Sequence, residues 1–314
     1  MHREGKFMEA SLFHRKFRNE DEFEAPGPSR EGTEVHLQEG ELALCFLVDD
    51  EGSSMRVIDF RAGPQPGKLE AVQRFAEMQG IARVFVVVER EEAATWLKLG
   101  FEKEAVLPAF YKRSDGHVLG LVLSSGGPQE SSTRIRIRRV GAEPVSPLEA
   151  ARRLVRGKKL EGGTPVKVAV ARDKDIERAL TVARGTGRAV THLAPFSRDV
   201  ERGARLCTAR GGFSVLVGVE VQRCFGSVFL EPLVPPRGEK EIFMIASALE
   251  QICSELRKDG LVSAFALTPT HLVELSASML AAGFRPTGEL REHLLENGQH
   301  YSATAWSKKL GEPD

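Results

Sequence analysis

The sequence lacks the features that mark membrane and secreted proteins. No apolar run in its 314 residues approaches the roughly 20 residues that span a bilayer. The first residues are charged throughout and contain no apolar segment typical of a signal peptide. The four cysteines, Cys45, Cys207, Cys224 and Cys253, form no CxxC pair, so they predict reduced thiols, not a disulfide or zinc framework. We therefore expect a cytoplasmic protein with no membrane partner and no metal.

An excess of charge of either sign is also missing. The 44 Lys and Arg residues balance the 44 Asp and Glu residues, which argues against a nucleic-acid partner. One arginine-rich stretch, TRIRIRRV at residues 133–140, could contact phosphate, but the solvated face of an edge strand is the simpler interpretation.

Several catalytic and nucleotide-binding motifs are absent as well. The chain has no GxSxG, no HExxH and no GxGxxG that opens a helix. The stretch RAGPQPGKLEAV at residues 61–72 resembles a P-loop, but its glycines are one residue too close. Leu69 also replaces the Ser or Thr of that motif, and Pro64 and Pro66 remove amides that would bind phosphate. A structural turn is the favoured interpretation, and a cofactor loop is the alternative.

The order of predicted elements repeats along the chain. A length of 314 residues suggests about two domains. Both halves read strand, strand, glycine- or proline-containing loop, helix, strand, short helix, Gly-Phe, strand, and the Gly-Phe breaks at residues 100–101 and 283–284 lie 183 positions apart. This pattern predicts an internal duplication of one α/β unit. We expect a polar segment at 1–38, domains at 39–125 and 148–314, and a linker at 126–147.

This order, with a splayed strand that leads through a loop into a helix, resembles the Gcn5-related N-acetyltransferase (GNAT) superfamily. Residues 100–123 and 280–310 are most similar to the two ends of β-lysine N-acetyltransferases. The resemblance implies an α/β (α+β) fold of tandem GNAT-like domains, each a mixed, mostly antiparallel sheet flanked by helices. The residues that carry it are Glu104, Ala105, Leu107, Pro108, Phe110, Tyr111, Trp306, Lys308 and Leu310.

The resemblance implies acetyl-CoA as cofactor and places its loop at VPPRGEKEIF, residues 234–243. Strand amides around Leu233 and Val234 are expected to polarise the thioester carbonyl, and backbone N–H groups at the helix start to hold the diphosphate. Lys240 or Glu241 replaces the second glycine of the family loop, so an ordinary acidic helix start is the alternative. The candidate cofactor-binding residues are Leu233, Val234, Arg237, Gly238, Glu239, Lys240, Glu241 and Ile242.

The same resemblance suggests catalytic groups. Glu231 ends a strand where the family often has a carboxylate, so it is the candidate base. The tyrosine that many members place before the Gly-Phe break is absent, which leaves Tyr301 as the candidate acid. His293 and His300 could shuttle protons.

The expected reaction is direct attack of a primary amine, on a small molecule or a lysine-like group, on the thioester. Residues that replace the family's substrate-reading positions argue against β-lysine itself. The alternative is an inactive tandem GNAT that serves as a CoA-sensing regulatory module or binds a protein partner.

Overall fold

The computed structural model describes residues 11–16, 32–49, 54–123, 145–158, 166–185, 201–296 and 299–312. These residues form fourteen strands: β1 Ser11–Lys16, β2 Gly32–Glu39, β3 Leu42–Asp49, β4 Ser54–Asp59, β5 Arg83–Val88, β6 Glu102–Leu107, β7 Gly116–Val122, β8 Val166–Val170, β9 Glu201–Ala209, β10 Phe213–Gln222, β11 Ser227–Pro232, β12 Ser263–Pro269, β13 Arg285–Glu296 and β14 Gln299–Lys309. They also form six α-helices: α1 Lys68–Met78, α2 Arg90–Lys98, α3 Pro147–Val155, α4 Asp173–Gly185, α5 Glu239–Lys258 and α6 Val273–Ala281. A short 3₁₀ helix, Arg223–Phe225, joins β10 to β11.

All fourteen strands belong to one mixed sheet with the order β1-β2-β3-β4-β5-β7-β6-β13-β14-β12-β11-β10-β9-β8. Among the described strands only β4 with β5 and β11 with β12 pair in parallel, and the other pairs are antiparallel. The predicted class, a mixed and mostly antiparallel sheet with helices, is therefore confirmed.

The strand order reads as two mirror-related halves that meet between β6 and β13. Counting outward from this junction, β7, β5, β4 and β3 on one side match β14, β12, β11 and β10 on the other. The junction itself is a single antiparallel pair, Gly288 opposite Ala105. These two residues are separated by 183 positions, the same interval as the Gly-Phe breaks. The shared interval agrees with the predicted duplication, which stays a prediction.

Gly288 is required by this close crossing. An ideal Cβ built on Gly288 would lie 2.1 Å from the Glu104 carbonyl oxygen and 2.5 Å from the Ala105 Cα, both of them backbone atoms. Only glycine permits the two strands to approach so closely.

Each half has its own core on the helix-bearing face of the sheet. In the N-terminal half, β2–β5 and β7 pack against α1 and α2, and in the C-terminal half β9–β12 pack against α4, α5 and α6. A third cluster lies on the opposite face and spans the junction, where Phe85 and Phe110 join Phe229, Phe265 and Leu290. The two halves are thus held together by apolar packing in addition to the β6–β13 contact.

Local sequence signals explain several elements. The Ser146 side chain accepts a hydrogen bond from the Glu149 N–H at 3.2 Å, and Pro147 occupies the first helical position of α3. This Ser-x-x-Glu arrangement begins a helix because it satisfies an N–H group that has no helical partner. The helix α5 has an apolar stripe at helical spacing that is buried throughout: Ile242, Ile245, Leu249, Ile252 and Leu256.

Some expectations need revision or fall outside the described residues. β1 lies within the segment 1–38 and β2 begins inside it, although a polar segment was expected there. The strands β6, β9 and β13 are additional to the expected elements. The arginine-rich stretch 133–140 lies outside the described residues, and the domain boundaries stay a prediction. None of the helices in the described part of the chain has a stretch long and apolar enough to cross a membrane.

Candidate functional site

In the C-terminal half, two parallel strands separate towards their carboxyl ends. β11 and β12 share only three residue pairs, from Ser227 opposite Ser263 to Phe229 opposite Phe265. Beyond these pairs β11 continues along β10 to Pro232, whereas β12 continues along β14 to Pro269. A wedge therefore opens between residues 230–232 of β11 and 266–269 of β12. Facing strand edges of this kind can hold a thin, extended ligand through backbone hydrogen bonds.

The open end of the wedge leads through a loop into α5. Gly238 is the N-cap residue and has a φ of 94°, which a residue with a Cβ rarely adopts. Ile242 anchors the first turn in a small core with Ala151 of α3 and Ala277 of α6. Arg237, Gly238 and the first helical residues are exposed, so the positive end of the helix dipole faces solvent where an anion could bind.

Two carboxylates of the helix start already have partners. The Arg237 N–H donates to Glu241 Oε2 at 2.6 Å, so the Glu241 side chain reaches back past the N-cap residue to the amide that precedes it. Lys158, which follows α3, lies 2.7 Å from the Glu239 carboxylate and offsets its charge. Because Lys158 offsets its charge, the Glu239 carboxylate should repel a bound diphosphate less than the Glu241 carboxylate does. Lys240 is exposed and adds positive charge to the same turn.

The Leu233 amide already has a partner within the sheet. Its N–H donates to the Leu216 carbonyl at 3.0 Å and extends the β10–β11 ladder, so its predicted role in polarising a thioester carbonyl requires this bond to break and stays a prediction. The side chains of Leu233 and Val234 are buried in the core of the C-terminal half. The Val234 amide also stays a candidate donor towards the wedge.

The two candidate catalytic residues lie on the same face of the sheet. Pairing of β11 with β12 and of β12 with β14 places Glu231 and Tyr301 on the face opposite α5 and α6. Glu231 is on one side of the wedge and Tyr301 on the other, at least two strand spacings of about 4.8 Å apart. The Tyr301 ring contacts the His271 ring, with 4.6 Å between their centroids. His271 was not a predicted site residue, because it follows β12 without a motif that indicates catalysis.

His293 belongs to the junction between the halves, away from the wedge. Its Nδ1 accepts a hydrogen bond from Arg83 Nε at 3.1 Å, and its ring meets Phe85 edge-on. Burial and the neighbouring Arg83 charge lower the pKa of His293 well below its usual value of 6.5. His293 therefore stays neutral and buried, which does not suit the proposed proton shuttle. His300, the other suggested shuttle, lies partly buried near the start of β14.

A buried lysine lies at the end of β4, beside the corresponding opening in the N-terminal half. β4 and β5 also separate after a short parallel pairing, and α1 begins after Gly67. The Lys68 ammonium group is buried, 2.5 Å from the Asp59 carboxylate and 2.6 Å from the Gly63 carbonyl oxygen. It also lies over the Trp96 ring at 5.5 Å. The lysine that resembled a P-loop residue is thus a structural cation that points into its own half.

A cavity beside this helix start also does not suit a diphosphate. It has a volume of about 310 Å³ and is lined by Glu39, Glu41 and Glu70 together with Arg74. Arg74 is paired with Glu39 at 3.0 Å, so the lining carries net negative charge. The structural turn, the favoured interpretation of residues 61–72, agrees with both observations.

No protein-family model matches the chain, and no curated protein matches it. Solved structures of N-acetyltransferases are similar to it over about half of its length. The ribosomal-protein-S18-alanine N-acetyltransferase from Escherichia coli is 15% identical with a TM-score of 0.36, over 47% of this chain and 95% of that one. The spermidine N-acetyltransferase from Vibrio cholerae in complex with CoA and spermine is 9% identical with a TM-score of 0.39, over 47% of this chain and 96% of that one. At these identities and TM-scores, the function has to be inferred from the geometry of this chain.

Proposed function

We propose that this protein is an acetyl-CoA-dependent N-acetyltransferase whose site lies in the C-terminal half. The observation that carries the proposal is the wedge between β11 and β12, which leads directly to the glycine-capped start of α5. In the GNAT superfamily, which the sequence resembles, such a wedge receives the pantetheine arm and such a helix start receives the diphosphate. The acceptor is a primary amine on a small molecule or on a lysine-like group.

Named residues supply the required chemistry. The amine nitrogen forms the new C–N bond as the C–S bond of the thioester breaks. Glu231 accepts the proton that the amine loses, Tyr301 donates a proton to the leaving thiolate, and the Val234 amide polarises the carbonyl. The positive charges of Arg237 and Lys240 and the N–H groups of the α5 start hold the diphosphate.

The chain is proposed to contain two GNAT-like domains with different tasks, at residues 39–125 and 148–314. The mirror-related strand order supports this duplication. The lysine at the start of α1 is buried against Asp59 and does not face solvent, so the N-terminal domain is proposed to support the active one without binding cofactor.

One observation favours a second function. Because Glu241 already occupies the Arg237 N–H, a diphosphate has to displace this carboxylate or bind the remaining amides. If the cofactor binds in this way without turnover, the chain is an inactive relative that acts as a CoA-sensing regulatory module, and if it does not bind, the chain is an inactive relative that binds a protein partner.

Isothermal titration of the full chain with acetyl-CoA tests the proposal. We expect one site per chain with micromolar affinity. Arg237→Glu should weaken this affinity by at least about tenfold, since it places a third carboxylate beside the diphosphate. Arg257→Glu is the matched control, because it makes the same change at the exposed far end of α5.

The outcomes separate the two functions. Binding that is lost in Arg237→Glu and kept in Arg257→Glu, followed by release of free CoA thiol with a panel of primary amines, supports the transferase. The same binding without turnover on any amine supports the regulatory module. No binding at millimolar acetyl-CoA, with a folded chain, would refute both cofactor-dependent functions and leave a protein partner.

A further inference from the structure

Three metal-ligating side chains meet on the face of the N-terminal sheet that lies opposite α1 and α2. Glu34 and His36 are two residues apart on β2, so both point to the same face. Cys45 of β3 is directly opposite His36 in the antiparallel ladder. The sequence did not suggest this cluster, because the three residues match no metal-binding spacing.

The ligand atoms are close enough to share one ion. His36 Nε2 lies 2.6 Å from Glu34 Oε1, and Cys45 Sγ lies 3.3 Å from the same oxygen. All three ligand atoms lie within 4.8 Å of one another. Tetrahedral Zn²⁺, with bonds of about 2.0–2.3 Å, requires ligand atoms roughly 3.3–3.7 Å apart. Small side-chain rotations therefore convert the cluster into a coordination shell.

We propose that Glu34, His36 and Cys45 form a Zn²⁺ site in the N-terminal half. A thiolate, an imidazole and a carboxylate are together the ligand set that suits zinc, with water at the fourth position. One thiolate and one carboxylate also balance the two positive charges of the ion, so binding leaves no net charge in a buried place. The site is separate from the wedge and does not depend on the proposed transferase activity.

The surroundings of the cluster support an ion. Glu34 and Cys45 are fully buried, whereas His36 is 36% exposed and gives the ion a route from solvent. The His36 ring stacks on Phe60 with an angle of 7° between the ring planes, which restrains its orientation.

A buried arginine lies beside the cluster. Arg56 of β4 lies diagonally across from Cys45 on the same face, because Leu47 is opposite Arg56 and Ile58 is opposite Cys45. Its Nε and Nη1 groups are buried and have no hydrogen-bond partner within the described residues. A metal-bound thiolate or water would accept from such donors.

The test is titration of the reduced, chelator-treated full chain with Co²⁺ and then Zn²⁺. Co²⁺ should bind with one equivalent and produce the thiolate-to-cobalt charge-transfer absorption, which Zn²⁺ then removes. Cys45→Ser should abolish this band and weaken Zn²⁺ binding by at least about 100-fold, more than the loss of an outer-shell partner. Cys253→Ser, which changes another buried free cysteine, is the matched control and should keep the band.

Two further measurements cover the case in which Cys45→Ser does not fold. His36→Gln changes a partly exposed ligand and should also lower the Zn²⁺ affinity while the chain stays folded. In the unmodified chain, Zn²⁺ at tenfold excess should raise the melting temperature, because it binds only the folded state. The absence of the charge-transfer band, its persistence in Cys45→Ser, or an unchanged melting temperature would overturn the proposal.

Discussion

Replacing Gly288 with alanine tests the junction between the two halves. The added Cβ would lie 2.1 Å from the Glu104 carbonyl oxygen and 2.5 Å from the Ala105 Cα. Non-bonded carbon atoms prefer separations of about 3.5–4.0 Å, and backbone atoms cannot rotate away as side chains do. The strands β6 and β13 therefore have to move apart by more than 1 Å, by this estimate from contact distances.

The expected cost combines two terms. Overpacking alone costs about 1–3 kcal/mol. Separation of the strands also strains two hydrogen bonds that cross the junction, from the Arg291 N–H to Glu104 Oε1 at 3.3 Å and from Arg83 Nε to His293 Nδ1 at 3.1 Å. Loss of a hydrogen bond to a charged group costs about 1.5–3 kcal/mol, and partial loss costs less. We expect Gly288→Ala to lower the free energy of unfolding by about 3 kcal/mol.

The two tryptophans of the chain allow each half to be followed separately. Trp96 is buried in the N-terminal half and Trp306 in the C-terminal half. Urea unfolding of single-tryptophan variants, with and without Gly288→Ala, measures the loss of unfolding free energy that each tryptophan detects. Gly203→Ala is the control, since a Cβ at this strand glycine meets no atom within 4 Å. An unchanged midpoint in Gly288→Ala, or an equal shift in Gly203→Ala, would refute the reasoning.

Three other predictions follow from single contacts. Glu241→Gln should strengthen acetyl-CoA binding about two- to fivefold, because it removes a competing carboxylate from the helix start. Calorimetry measures the affinity, and an equal gain in Glu239→Gln would contradict this prediction. Because the pKa of His293 is lowered when folded, its stabilising contribution is complete above pH 6.5 and is lost as the pH falls below it, by up to about 1.4 kcal/mol per pH unit. His293→Gln should reduce this slope in urea midpoints between pH 7.5 and 5, and equal slopes would count against the prediction. Lys68→Met should lower the free energy of unfolding, measured with a denaturant, by about 3–5 kcal/mol, and adding Asp59→Asn should restore much of this loss. A double variant that is no more stable than Lys68→Met would argue against a buried pair.

Local patterns in the sequence predicted most of the elements correctly. The 3.6-residue periodicity of α5 indicates a helix, because side chains on one face of a helix repeat every turn. The short apolar run of β5 indicates a buried strand, because it is rich in valine and only six residues long. The strand β9 was missed since Glu201, Arg202 and Arg205 interrupt its apolar residues, and it becomes a strand through pairing with β10. The strand β13 was missed for a similar reason, as its long polar stretch is fixed by β14.

The candidate site was predictable only in part. The sequence indicated where a strand leads through Gly238 into a helix, since glycine with positive φ and the following periodicity are local signals. It did not indicate that the Leu233 N–H is used by Leu216, because that bond depends on the register of β10. The sequence also did not indicate which way the Lys68 side chain points. A lysine after glycine can face solvent and bind an anion or, as here, be buried against Asp59.

By itself, the sequence determined the type of most helices and strands and the positions of the two Gly-Phe breaks 183 residues apart, because these depend on periodicity and on glycine conformations within a few neighbouring positions. Only the tertiary structure decided that equivalent strands join at Ala105 and Gly288, that Arg83 meets His293, and that Glu34, His36 and Cys45 converge. Each of these contacts joins residues of different strands. They depend on strand register and sheet order, which are set by packing of the whole molecule and not by any short stretch of chain.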